Sequence, residues 1–230
     1  MNWTFTPDEF AFVWRETGLD RFPSPLAIVT TARTEDAAAH QEEAARRRYP
    51  HRENPELSVA LRVAAHPSTH IKIVADSMRM AGCALNGTAA VIVQADSMIR
   101  VSLIREAVLT ETLAEAVPEA TAGSKPAMSA SAARLRGDGR TDVLADPSRP
   151  CVLGPMRALL SARRSGEGHV AVHRFADNEF PPKPRFVSWI DVAGDGRYLV
   201  RDGTDVDIVP ATRHDVRAEL DRLVARRRRQ

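Results

Sequence analysis

Alternation of apolar and polar side chains over residues 185–209 predicts two β-hairpins in succession. Phe186, Val187, Trp189, Ile190 and Val192 form a run of β-branched and aromatic residues. Arg197, Tyr198, Leu199 and Val200 follow across Gly194, Asp195 and Gly196, a turn whose glycines can supply positive φ. Asp202 and Gly203 then close a second turn onto Val206, Ile208 and Val209. With residues 168–173 in front this makes a four-strand meander, and the pattern after Pro210 completes it with a helix. The same order occurs earlier in the chain, where 71–75, 78–85, 89–95 and 99–105 read as strands and 107–117 as the helix after them. Two copies of one supersecondary plan predict a single pseudo-symmetric domain over 1–230, with halves at about 1–118 and 150–230 joined by 119–149. The earlier strands are the more continuously apolar, as expected of strands covered on both faces.

Outside the meanders the apolar spacing becomes helical. Residues 3–5 read as a short strand, after which Thr6 and Glu9 form a capping box, Pro7 occupies the first helical position, and Phe5 and Phe10 have the spacing of a hydrophobic staple. Phe10, Val13, Trp14 and Thr17 make the apolar stripe of this helix, and Gly18 stops it. Residues 26–31 read as a further strand, released by Pro23 and Pro25. Thr34 caps an Ala-, Glu- and Arg-rich helix to residue 48 whose stripe is mostly alanine, so shallow packing is expected. Asn54 caps and Pro55 opens the next, bearing Leu57, Ala60, Leu61 and Ala64. Met156, Leu159, Leu160 and Arg163 give a helical stripe before the second meander, and Thr212 with Asp215 caps a last helix carrying Val216, Leu220, Leu223 and Val224. Residues 118–150 have few large apolar side chains, a composition expected to be mobile or shallowly packed.

Composition narrows the classes of function. A chain of 230 residues with 43% hydrophobic content can bury a substantial core, and its net charge of +2 points to neither nucleic acid nor an anionic membrane. Cys83 and Cys151 are too few for a disulfide framework. The opening residues have neither a basic n-region nor an apolar h-region, and no apolar run reaches the length of a membrane span, so a soluble cytosolic protein is expected.

Catalytic signatures are absent: no Gly-x-Ser-x-Gly elbow, no phosphate loop, no Gly-x-Gly-x-x-Gly at a strand-to-helix junction. Cys83 lies inside an apolar strand and reads as a small buried hydrophobe. His66 and His70 stand four apart but flank Pro67. His169 and His173 lie on a strand, where four residues span roughly 13 Å and cannot chelate one ion. No metal or cofactor is expected. The run of arginines at 226–229 complements the C-terminal dipole of the last helix and has no interleaved aromatics for base stacking.

In order and spacing, three stretches resemble the ESX secretion-associated EspG proteins of actinobacteria: residues 3–10, residues 89–101 followed by 109–118, and residues 189–200 with the helix entry at Val209, Pro210 and Ala211. The resemblance runs over nearly the whole chain and departs from the family in the thin helix at 34–48 and the Arg-rich end. It implies an α+β fold, a pseudo-two-fold central antiparallel β-sheet flanked by two helical bundles. It also implies a cytosolic chaperone of type VII secretion, which binds the helical tip of a PPE-type protein within a PE–PPE pair and keeps it soluble for export. Such a chaperone needs an exposed apolar patch with a polar rim, and no nucleophile, cofactor, membrane or nucleic acid. Self-association of the free protein stays open. So do a small enzyme, which would show a pocket with a perturbed acid or base, and a nucleic-acid binder, whose arginines would converge with other basic residues on one face.

The client is expected on exposed sheet positions of the first half together with the helix after Ala107. Alternation along 98–106 puts Ile99, Val101, Leu103 and Arg105 on one face, the better core face, and Met98, Arg100, Ser102, Ile104 and Glu106 on the other. The expected partner-binding set is Met98, Arg100, Ser102 and Ile104, with Gln94 joining from the preceding strand.

Overall fold

A computed structural model describes residues 1–50, 52–137, 152–175 and 184–225. The chain enters through β1 (Asn2–Phe5) and turns into α1 (Pro7–Trp14). The predicted capping box is formed: the Thr6 hydroxyl accepts the Glu9 N–H at 3.2 Å, and the Glu9 carboxylate accepts the Thr6 N–H at 2.8 Å. A turn of 3-10 helix follows, and Gly18 ends it at φ 73°. Next come α2 (Glu35–Arg48) and α3 (Pro55–Ala65), the second capped by the Asn54 side chain on Leu57 N–H. Ala45 is the buried residue of α2, which is held instead by surface ion pairs such as Arg15–Glu42, in keeping with its alanine stripe.

The first meander is β2 (Thr69–Ala75), β3 (Met78–Leu85), β4 (Thr88–Ala95) and β5 (Met98–Arg105), followed by α4 (Leu109–Ala116). Then come β6 (Met128–Ser131), α5 (Ala132–Arg136) and α6 (Leu153–Leu160). The second meander is β7 (Arg164–Arg174), β8 (Arg185–Val192), β9 (Gly196–Asp202) and β10 (Asp205–Pro210), followed by α7 (Arg213–Ala225). All ten strands form one antiparallel sheet in the order β1-β5-β4-β3-β2-β7-β8-β9-β10-β6. Its two sides mirror each other about the β2–β7 pair, whose ladder from Thr69↔Arg174 to Ala75↔Gly168 is centred on Lys72↔Ala171. This strand order puts the pseudo-two-fold axis between β2 and β7. The fold is thus α+β, with a pseudo-two-fold sheet between helical layers.

One face of the sheet carries α4 and α7, packed on each other across the centre. Leu109, Leu113, Leu220 and Leu223 close over Ile71, Ile73, Met80, Val91, Val170, Val172 and Trp189. Gly82 permits this approach, since a Cβ there would sit 2.6 Å from Leu113. The opposite face is covered in two separate places. α1 and α3 bury Phe10, Trp14, Leu57 and Leu61 against Ile92, Ile99 and Val101 of the first half. α5 and α6 bury Ala132, Met156 and Leu159 against Ile190, Tyr198 and Ile208 of the second.

Two elements differ from expectation. Residues 26–31 join no ladder, because the sheet edge belongs to β1; this segment lies over the helical face instead, and Ala27 exchanges both its backbone hydrogen bonds with the Gln94 side chain at 2.8 Å. Within 119–149, assigned to a shallow join, Met128–Ser131 is the edge strand β6, the counterpart of β1. The stretch before it is strapped over the end of β9. Arg197 N–H donates to Thr121 O, Gly123 N–H donates to Arg197 O, and Asp195 and Tyr198 receive Ser124 N–H and Lys125 N–H. Hydrogen bonds to backbone and small residues hold this strap, so its poverty in large apolar side chains says little about its order.

Candidate functional site

Between the two helical coverings, the sheet face over β7 and the start of β8 is exposed at His169 and Phe186, while on β2 Lys72 and Val74 are half-buried and His70 is buried near Ser24. Cross-strand register fixes which side chains share it: Lys72 pairs with Ala171 and Ala171 with Phe186, while Val74 pairs with His169 and His169 with Ser188. Phe186 is 59% exposed, the more conspicuous because its neighbours on the other face, Val187 and Trp189, are buried. Phe175 stacks on His173 at 6.4 Å and 15° and adds a second exposed aromatic ring at the strip's end. The His169 ring nitrogen Nδ1 meets Ser188 Oγ at 2.8 Å. The result is a strip with apolar and aromatic groups along its length and imidazoles between them, of which His169 is hydrogen-bonded to Ser188 and His70 is buried.

The sequence pairs His66 with His70 and His169 with His173, whereas the structure brings together His70 and His173, directly opposed on β2 and β7 with ring centroids 6.3 Å apart. Burial, with Lys72 nearby, pushes the His70 imidazole down to about 4, and burial lowers His173 as well, so both are neutral near pH 7. Cys83 lies beside His70, fully buried, its thiol pushed up to about 12 by desolvation. Among the described residues no group of three or more His, Cys, Asp or Glu side chains could hold a metal ion. No described helix is long and apolar enough to cross a membrane. The arginines at 226–229 and Cys151 lie outside the described residues.

The sequence-predicted partner set is divided by the fold. Met98, Arg100 and Ser102 do share one face of β5, beside Thr4 and Asn2 of β1, and Met98 is 39% exposed. Ile104 shares that face but packs against the central core beneath α4. Gln94 is on the opposite face, since the Asp96–Ser97 turn has two residues and its register pairs Gln94 with Ile99 and Ala95 with Met98. Its amide is already committed to Ala27. Glu106 accepts the Gly87 N–H at the far end of β5. The open strip across β2 and β7 was not legible in the sequence, because it exists only once two strands about a hundred residues apart are adjacent.

The chain is similar to the Mycobacterium tuberculosis type VII secretion system chaperone EspG5, whose structure was solved in complex with a PE25–PPE41 dimer. The two share 13% identity over 97% of this chain and 96% of that one, with a TM-score of 0.68, a likeness of fold. The EspG family model matches residues 6–222, and the chain belongs to the EspG family. No curated protein matches it.

Proposed function

We propose that this chain is a cytosolic, non-enzymatic chaperone of type VII secretion that holds a PPE-type protein of a PE–PPE pair soluble for export. Membership of the EspG family carries the reading, supported by the PE25–PPE41 dimer bound to a protein of the same fold. A chaperone of this kind works by covering apolar surface, so its site is an uncovered apolar area on a rigid scaffold. The strip with Phe186 and Phe175 fits best, since it exposes two aromatic rings on central strands of the sheet between the two helical coverings. A second surface, Met98, Arg100 and Ser102 on β5, is favoured by the exposure of Met98. Tagged protein expressed in its native host is expected to co-purify with a PPE-type protein identified by mass spectrometry. Phe186→Asp is expected to abolish that capture, while Met98→Asp with Arg100→Glu leaves it intact. The reverse pattern would move the client to β5, and purification without any PPE-type protein would remove the chaperone reading.

A further inference from the structure

The centre of the strip holds a charge that no described residue pairs. Lys72 sits at the middle of the β2–β7 ladder, opposite Ala171 on one side and the buried Ala81 on the other. Small neighbours leave its ammonium group room to reach outward but give it nothing to bind. Across the strip it faces His70 and His173, both neutral, and the hydroxyl-bonded His169; Arg79 beside Val74 on β3 adds a second cation. The one carboxylate on this face of β7, Glu167, is turned to Arg164. Burial lowers the Lys72 ammonium and the nearest group that opposes this is the buried Cys83 thiol, not an acid. Asp76, at the same end, accepts the Glu167 N–H. Among the described residues, no carboxylate is therefore paired with Lys72, and the middle of the strip is apolar and cationic.

Resting on the reading that the client docks here, we infer that the partner presents a carboxylate to Lys72, set within an apolar tip that covers Phe186. A half-buried lysine at the middle of an interface is costly to cover unless the partner neutralises it, so Lys72 selects among clients by rejecting tips that lack an acid. A rim charge would do this weakly; a central one, sealed from water by the aromatic neighbours, does it strongly.

The test uses the full-length chain and the PE–PPE pair recovered with it, titrated by calorimetry at 50 and 300 mM NaCl. Lys72→Met is expected to weaken binding about tenfold and to remove most of its salt dependence; Lys72→Glu is expected to abolish binding, and an Asp or Glu→Lys change in the client tip to restore it. If Phe186→Asp abolishes binding while Lys72→Met binds as wild type with the same salt slope, the carboxylate inference fails and the docking surface stands. If Phe186→Asp binds normally, the docking surface itself is wrong. Free Lys72→Met is expected to melt at or above the wild-type temperature; a fall of several degrees would reveal a counter-charge inside the chain and overturn the inference.

Discussion

The two halves of the sheet share one strand plan and are covered by unequal material. In the first half, α1 and α3 carry a full helical stripe into the core, and Phe5, Phe10, Trp14 and Phe22 stack in a chain of rings with centroids about 6 Å apart. In the second half, α5 and α6 are short and bring only Ala132, Met156 and Leu159, so much of the core is supplied by the strands themselves. The equivalent hairpins differ accordingly. β3 and β4 are joined by a two-residue turn, Asn86 and Gly87, both with positive φ. β8 and β9 end instead on a buried ion pair under the strap, with Arg197 donating from Nε and Nη2 to Asp191 at 2.7 and 2.8 Å while stacking over Trp189. A repeated strand order does not require repeated contacts: the first hairpin closes on a tight turn, and the second on an ion pair packed over Trp189 on the face covered by α4 and α7.

That comparison breaks most sharply at Asp191. The Arg197 side chain is fully buried, and its Nη1 has no partner even in the intact structure. Asp191→Ala leaves an uncompensated guanidinium in the core and is expected to cost about 3–5 kcal/mol in chemical denaturation. Phe10→Ala should cost a similar amount, roughly 3–5 kcal/mol, through a cavity. Only the first loss can be cured by removing the partner as well: Asp191→Leu with Arg197→Met is expected to regain most of the stability. If the double variant is as unstable as Asp191→Ala, the ion pair is not what distinguishes the second half.

A smaller effect is expected at His70, which is buried on β2 of the first half. Because burial depresses the folded-state pKa of His70 to about 4, below the ordinary histidine value, the unfolded chain takes up this proton first on acidification. The contribution is complete above about pH 6.5 and is lost as pH falls toward 4; between pH 7.5 and 5 it amounts to about 2 kcal/mol. His70→Leu is expected to flatten this dependence in urea titrations at the two pH values. A dependence unchanged in His70→Leu would mean that burial of this imidazole is not its source.

How much of this was readable in advance follows the range of the interactions. Caps, stops and hairpins are local: Thr6 with Glu9, Asn54 with Pro55, and the turns at Gly194 and Gly203 are specified within a few residues, and the repeated meander follows from them. β6 was missed because a four-residue edge strand with one large apolar side chain, Met128, carries almost no pattern of its own. Gln94 was put on the wrong face because parity counted along the chain reverses across a two-residue turn. The open strip and Lys72 at its centre depend on β2 meeting β7, a long-range choice that neither strand encodes alone.

The smallest expected difference lies in the helix starts, where both halves use the same device. Thr6 opens α1 with reciprocal bonds to Glu9, and Thr212 opens α7 with its N–H donating to Asp215 at 2.7 Å and its hydroxyl accepting Asp215 N–H at 3.4 Å. The longer second bond makes this the weaker cap, though the Thr212 hydroxyl also donates to the Asp215 carboxylate, which these bonds hold below the usual carboxylate range. Thr6→Ala is expected to cost about 1 kcal/mol and Thr212→Ala somewhat less, near the lower end of roughly 0.5–2 kcal/mol. Acid should tell them apart further, because a carboxylate whose folded pKa is depressed gives stability above its unfolded pKa and loses it as pH falls through the folded value. The Thr212→Ala deficit should therefore shrink below about pH 4, where Asp215 is protonated in the unfolded chain. The Thr6→Ala deficit should hardly change from pH 7 to that point, since its main bond is hydroxyl to amide. Melting both variants at pH 7 and pH 3.5 checks this, and a Thr212→Ala deficit independent of pH would show that the α7 cap rests on its hydroxyl alone.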